Sequence, residues 1–191
     1  MRDVLDTVEA LGIERATWVG HSFGGRLVAE LAAAAPERTE RLVMLDPGLE
    51  VSPARALQAA EIERLDWNFA TPDGALNAML SSMTAPDREQ VATWVRNDVV
   101  EGPDGRFRFS FCPGAAVVAW SEVTLPAPPI ARVPTLLLAA ERGLATYEEL
   151  GRRYRETLDG MLTTVIVPHG HNVLWEAPAE TLAAIEKFVT A

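Results

Sequence analysis

Five consecutive residues, Gly20-His21-Ser22-Phe23-Gly24, form a Gly-X-Ser-X-Gly pattern that could place a serine nucleophile. The apolar run 16–19 precedes the pattern, and the alanine-rich segment 23–35 follows it, so a strand, a tight turn and a helix are predicted. Such a turn lifts the serine hydroxyl out of a sheet, at a helix N-terminus that favours developing negative charge. Gly20, Gly24 and Gly25 meet the expected need for small residues, and the N–H of Phe23 is the predicted oxyanion donor.

A serine hydroxyl needs a general base within hydrogen-bond reach, and the chain contains three histidines. His171 follows a predicted strand and lies on a loop before the last predicted helix, which favours it as the base. His169, two residues earlier, is the alternative and is more typical of a plain loop residue. His21, inside the serine turn, is expected to pack beside the turn without acting as a base.

Strand and helix patterns alternate at both ends of the chain, which predicts an α/β protein with a parallel sheet. In the middle, helical patterns are broken by Pro-Asp-Gly turns, and residues 106–109 alternate like a short exposed strand. We therefore expect an α/β core from residues 1–48 and 132–191, and a mostly helical cap or lid from residues 49–131. Beyond the serine turn, strands are predicted over 41–45, 135–139 and 162–167, and helices over 1–11, 54–69, 75–82, 87–100, 147–158 and 179–189.

Several segments resemble the serine-nucleophile branch of the α/β-hydrolase superfamily. They are Trp18 to Gly25, Pro36-Glu37-Arg38 with the strand and Asp46-Pro47 that follow, and Gly170-His171-Asn172 with Glu176-Ala177-Pro178. The resemblance covers both ends of the chain, and the middle only as a lid-like insertion. It implies a Ser22–His171 hydrolase that forms an acyl-enzyme, which water then clears.

The acid that orients the histidine departs from the family's usual position. In most of the family it follows the strand that is 135–139 here, in a Gly-Glu-X-Asp pattern, but this chain has Gly143 at the position of the aspartate. Asp46, after the strand that follows the nucleophile helix, is the preferred substitute. Glu141, two residues short of the usual position, is the alternative, and a serine–histidine dyad without an acid is the third reading.

The family places several strands before the nucleophile, together with a His-Gly loop that supplies a second oxyanion N–H. This sequence reaches its nucleophile at residue 22 and contains no such loop. The expected structure is a partial α/β-hydrolase fold with about four parallel strands. Its nucleophile strand would be an open sheet edge through which two copies could pair. The hypothesis that follows is a truncated reading of a longer enzyme.

Composition excludes several classes of function. The net charge is −10 without any basic cluster, which argues against nucleic acid as a partner. The one cysteine, Cys112, is expected to be buried; it cannot form an internal disulfide or a thiolate zinc cluster. No metal or cofactor is predicted. Without a signal-peptide pattern or a long apolar run, a cytoplasmic protein with no membrane span is predicted.

The predicted reaction is hydrolysis of an ester-like acyl bond in a small, apolar molecule. The same fold also supports haloperoxidase, C–C hydrolase and cofactor-free lyase chemistry, and a non-catalytic binding protein or fragment is a further alternative. Leu174 and Trp175 are expected to pack beneath the histidine loop. Most aromatic residues of the middle are expected to pack lid helices together, with some lining an acyl pocket: Trp67, Phe69, Trp94, Phe107, Phe109, Phe111 and Trp120.

Overall fold

The computed structural model describes residues 1–143 and 147–191. Four parallel strands form the central sheet in the order β1-β2-β5-β6, and β3 pairs with β4 in an antiparallel hairpin. The predicted α/β class with four parallel strands is thereby confirmed. The strands are β1 (Ala16–His21), β2 (Thr39–Leu45), β3 (Val99–Glu101), β4 (Phe107–Phe109), β5 (Thr135–Arg142) and β6 (Leu162–Gly170).

Helices cover both faces of the sheet and make up most of the middle of the chain. Two short ones, the 3₁₀ helix Pro36–Arg38 and the α-helix Val173–Glu176, have no counterpart in the sequence prediction. The α-helices are α1 (Arg2–Ala10), α2 (Phe23–Ala34), α3 (Pro53–Glu63), α4 (Pro72–Ser82), α5 (Arg88–Asp98), α6 (Pro113–Glu122), α7 (Tyr147–Leu158), α8 (Val173–Glu176) and α9 (Pro178–Thr190).

Strand β2 shows how the sheet is buried on both sides. Its last four residues are at most 2% exposed, and successive side chains point to opposite faces. Leu42 and Met44 pack on one face with apolar residues of α1, α2 and α7. Val43 and Leu45 pack on the other with residues of α8 and α9. Because β2 is buried on both faces, apolar residues follow one another along it, which explains the continuous apolar run in the sequence.

The four strands run in one direction, so their carboxyl ends meet at one edge of the sheet. The register aligns His21 with Leu45 across β1 and β2, and Leu45 with Leu138 across β2 and β5. Residues that directly follow the strands are therefore neighbours in space although they are far apart in sequence.

The middle segment, residues 49–131, contains four helices and the β3–β4 hairpin. Two small apolar clusters hold it together: Val51, Ala56 and Val123 with Trp120, and a second around Phe109 with helices α4 and α5. The helix predicted over 54–69 ends at Glu63, and α6 begins with Pro113 in its first turn.

The prediction that Cys112 is buried is wrong, because this residue is exposed. Cys112 is the N-cap of α6, in the turn that leads out of β4, and cap residues lie outside the packed body of a helix. Among the described ranges, no helix is long and apolar enough to cross a membrane.

Candidate active site

Ser22 lies in a sharp turn between β1 and α2, as the sequence predicts. Its backbone has φ 55° and ψ −120°, a strained conformation for a residue with a side chain. The Ser22 N–H donates to the Leu45 carbonyl at 3.0 Å, and its own carbonyl accepts from the Gly48 N–H at 2.9 Å. These two bonds fix the turn against the end of β2.

The turn requires glycine at some of its positions and not at others. A Cβ at Gly20 would lie 2.2 Å from the Gly24 carbonyl oxygen, and one at Gly25 would lie 2.7 Å from Pro47 Cβ. A Cβ at Gly24 would meet nothing within 4 Å. The expectation that Gly24 must be small is wrong, because this residue faces open space at the start of α2.

His171 contacts Ser22 directly. Its Nε2 lies 2.8 Å from Ser22 Oγ, and its Nδ1 lies 2.5 Å from Asp46 Oδ2. Because an ionised carboxylate only accepts hydrogen bonds, Nδ1 carries the hydrogen, which leaves the Nε2 lone pair to accept from the serine hydroxyl. This is the arrangement in which a histidine can remove the serine proton.

Asp46 directly follows β2, and its side chain is 1% exposed. Its N–H donates to the Leu138 carbonyl at 2.6 Å, and its Oδ1 accepts from the Ala140 N–H at 3.1 Å. Both partners belong to β5, which lies between β2 and the strand leading to His171. Asp46 therefore reaches across the end of β5 to the histidine.

Gly143 leaves the space through which Asp46 reaches His171. A Cβ at this position would lie 2.1 Å from Asp46 Oδ1 and 2.5 Å from Oδ2. No side chain fits at position 143 while Asp46 contacts His171. Position 143 is where the sequence comparison expects the usual aspartate and finds glycine. The structure places the Asp46 carboxylate beside that same position.

The two alternative residues lie elsewhere. Glu141 is exposed near the carboxyl end of β5. His169 lies within the irregular end of β6, with φ 81°, a region where residues other than glycine are uncommon. The side chains that the structure joins to Ser22 are His171, by direct contact, and Asp46, through His171.

The loop after His171 is held by buried contacts. The Gly170 N–H donates to Glu176 Oε2 at 2.7 Å, and Glu176 is 6% exposed. The expectation for Leu174 is wrong, because it is 37% exposed. Trp175 packs instead against Trp94 of α5, with ring centroids 5.2 Å apart, so it joins the histidine loop to the middle segment.

Phe23 is the first residue of α2, and the first N–H groups of a helix have no acceptor within that helix. Its N–H is therefore suited to receive an oxyanion formed at Ser22. Within residues 1–143 and 147–191, no group of three or more His, Cys, Asp or Glu side chains is placed to hold a metal.

Comparison with known proteins identifies the family of this chain. The profile of the family described as "alpha/beta hydrolase fold" matches residues 1–178. The chain belongs to this family. Within it, the chain is 29% identical over 206 aligned positions to Esterase YbfF of Escherichia coli, covering 98% of this chain and 72% of that protein. It is 28% identical to Lipase LipV of Mycobacterium tuberculosis, covering 87% of this chain and 66% of that lipase.

Solved α/β-hydrolase structures are similar over the whole chain. The crystal structure of an E-2-(acetamidomethylene)succinate hydrolase superposes with a TM-score of 0.86 at 22% identity, covering 100% of this chain and 72% of that one. At this identity, the likeness establishes the fold. The relatives named esterase and lipase support a hydrolase function for this member of the family.

Proposed function

We propose that this α/β hydrolase cleaves an ester-like acyl bond of a small molecule through Ser22, His171 and Asp46. The observation that carries the proposal is the continuous chain of two contacts, Ser22 Oγ to His171 Nε2 at 2.8 Å and His171 Nδ1 to Asp46 Oδ2 at 2.5 Å. Distances of this size allow proton transfer without movement of the backbone.

The reaction proceeds in two halves. As Ser22 Oγ attacks the acyl carbon, its proton moves to His171 Nε2, and Asp46 stabilises the imidazolium. The oxyanion of the tetrahedral intermediate forms beside the Phe23 N–H at the start of α2. His171 then gives the proton to the leaving alcohol, and the acyl-enzyme forms. Water, deprotonated by His171, attacks that ester and releases the acid and free Ser22.

The middle segment is proposed to act as the lid that selects the substrate. Two hydrogen bonds join the middle segment to core residues near the proposed triad. Arg55 of α3 donates from Nη2 to the Gly143 carbonyl at 3.0 Å, and the Asp87 N–H at the start of α5 donates to the Trp175 carbonyl at 2.6 Å. Gly143 lies beside the Asp46 carboxylate in space, and Trp175 is four residues after His171 in the chain.

An apolar acyl group is the proposed substrate class. Phe23 follows the serine and is 39% exposed, and Leu174 follows the histidine and is 37% exposed. Two large apolar side chains therefore remain accessible, one directly after Ser22 and one three residues after His171. Burial of an acyl chain against them would be favourable at roughly 25 cal/mol per Å².

Hydrolysis of p-nitrophenyl esters of increasing chain length tests the proposal. We expect Ser22→Ala to abolish turnover and labelling by a fluorophosphonate probe, because both need the serine oxygen. Ser81→Ala is the matched control, since Ser81 is an exposed serine of α4 whose hydroxyl donates to the Asn77 carbonyl. A folded wild-type chain that neither turns over esters nor takes the probe would contradict the proposal and favour a binding role.

A further inference from the structure

His21 is the residue between Gly20 and Ser22, and its ring lies against the ring of His171. The two ring centroids are 4.7 Å apart with an interplanar angle of 30°. His21 Nε2 lies 2.8 Å from the backbone carbonyl oxygen of His171. On its other side, the ring meets Trp175 edge-on, at a centroid distance of 6.4 Å.

The hydrogen bond defines which nitrogen of His21 carries a hydrogen. A backbone carbonyl can only accept, so Nε2 is the donor. Burial lowers the pKa of His21, and the nearby His171 lowers it further, while the bond to the His171 carbonyl and the charge of Asp46 act in the opposite direction. The ionisable groups that act on His21 are thus His171 and Asp46, and at neutral pH the ring is the uncharged Nε2–H form.

An uncharged ring suits this location. During the proposed reaction, His171 becomes a cation, and a second cation at a ring distance of 4.7 Å would oppose its formation. The neutral Nε2–H form keeps the hydrogen bond to the His171 carbonyl and adds no charge. His21 can therefore hold the backbone of His171 without weakening it as a base.

The contact also links the nucleophile and the base by a short route. His21 and Ser22 are consecutive residues at the end of β1, so one strand end carries both the serine and the group that holds the histidine backbone. Without this bond, the His171 carbonyl still accepts from the Val173 N–H at 2.9 Å, and the Gly170 contact to Glu176 and the side-chain contacts of His171 remain. The Val173 bond is local to the loop, whereas the His21 bond joins the loop to the strand end that carries Ser22. We propose that His21 is a positioning residue, whose bond to the His171 carbonyl sets the approach of Nε2 to Ser22 Oγ.

This inference rests on the proposed hydrolysis, and a pair of substitutions tests it. His21→Gln places an amide N–H near the position of Nε2 and retains the donor. His21→Phe retains a ring and removes the donor. We expect kcat for a p-nitrophenyl ester to fall about fivefold in His21→Phe, which is the loss of one neutral hydrogen bond of about 1 kcal/mol. We expect KM to change less than kcat in that variant, and His21→Gln to retain most of the wild-type kcat.

Proton NMR supplies a readout that does not depend on turnover. The short His171 Nδ1–H to Asp46 hydrogen bond should give a far-downfield resonance in the wild type. We expect the resonance to persist in His21→Gln and to broaden or vanish in His21→Phe, as His171 leaves its position. His169→Asn is the control, because asparagine tolerates the positive φ of that residue and His169 lies outside the triad.

If His21→Phe keeps both the wild-type kcat and the resonance, the inference is wrong. If His21→Phe does not fold, His21→Asn replaces it, because its amide ends near the position of Nδ1 and cannot reach the carbonyl. Loss of kcat and of the resonance in His21→Asn, with both retained in His21→Gln, supports the inference, and equal behaviour of the two overturns it. If the wild type is inactive, the proposed hydrolysis fails, and the resonance alone decides the role of His21.

Discussion

The carboxyl edge of the sheet and the middle segment differ in how completely their apolar side chains are buried. At the sheet edge, Asp46 follows β2, whose last four residues are at most 2% exposed, and backbone hydrogen bonds to the Leu45 and Leu138 carbonyls hold Ser22 and Asp46 in place. The middle segment has smaller apolar clusters and keeps large apolar residues exposed, such as Leu57 and Leu65 at 63% each. Under the proposed function, the more deeply buried region would position the reacting atoms, and the less densely packed middle segment would control what reaches them.

Asp46→Asn should have the largest effect at the rigid edge. An amide can donate to Nδ1 and would hold His171 in the wrong tautomer, so we expect kcat to fall by about 10⁴-fold. Glu141→Gln is the control, and its kcat should stay at the wild-type value, because Glu141 is exposed on β5. The measurement is p-nitrophenyl ester turnover; a large loss in Glu141→Gln with little loss in Asp46→Asn would reverse the assignment of the acid.

Leu137→Ala compares the stability of the two regions. Leu137 is 0% exposed in the sheet, and loss of its side chain should lower the free energy of unfolding by about 2–5 kcal/mol. Leu57→Ala in the middle segment should change it by less than about 0.5 kcal/mol, because the side chain is already in solvent. Urea denaturation followed by circular dichroism measures both. Equal losses would break the distinction between the regions.

Gly143→Ala tests the space through which Asp46 reaches His171. The new methyl group would overlap the Asp46 carboxylate, and a displacement of about 1 Å near reacting groups can cost about 100-fold in kcat. Gly114→Ala is the matched control in α6, because its Cβ would meet only Cys112 Sγ at 3.7 Å. We expect that variant to keep its activity. A Gly143→Ala enzyme with wild-type kcat would show that the carboxylate can move without loss.

Tyr154→Phe should have the smallest effect, seen only at alkaline pH. Burial raises the pKa of Tyr154 to about 12 from its ordinary value of 10.0. The folded state therefore binds this proton more tightly than the unfolded state, and stability is lost as pH rises from 10 toward 12. The loss from this group is about 1.4 kcal/mol at pH 11. Denaturation at pH 8 and pH 11 should show a smaller alkaline loss in Tyr154→Phe than in the wild type.

Local patterns in the sequence predicted most of the fold. Helix α7 has the predicted bounds, Tyr147–Leu158, because its apolar spacing is regular. The helix predicted over 54–69 is too long, and α6 was not predicted, because the middle segment has weak periodicity that distant contacts override. The prediction that Cys112 is buried is wrong for a related reason. Cysteine is usually buried, but the residue type alone does not show whether the turn that contains it faces solvent.

The candidate site residues also divide into those that local sequence patterns predict and those that depend on contacts between distant parts of the chain. The serine turn is a local feature, since Gly20, Ser22 and the start of α2 are adjacent and their steric needs appear in consecutive residues. The role proposed for His21 left no signal in the sequence, because its partner is the backbone of a residue 150 positions away. A contact to a backbone atom does not depend on the type of the partner's side chain.

The sequence by itself determined that a serine stands in a strand-to-helix turn and that a histidine follows a later strand, because strand, turn and helix preferences act over a few neighbouring residues. Only the tertiary structure places the Asp46 carboxylate against His171 Nδ1, which favours Asp46 over Glu141 as the proposed acid. That choice depends on the parallel register that aligns Leu45 with Leu138 and on the open space at Gly143. Strand pairing joins residues that are far apart in the chain, so the carboxylate that meets His171 is determined by packing rather than by distance along the sequence.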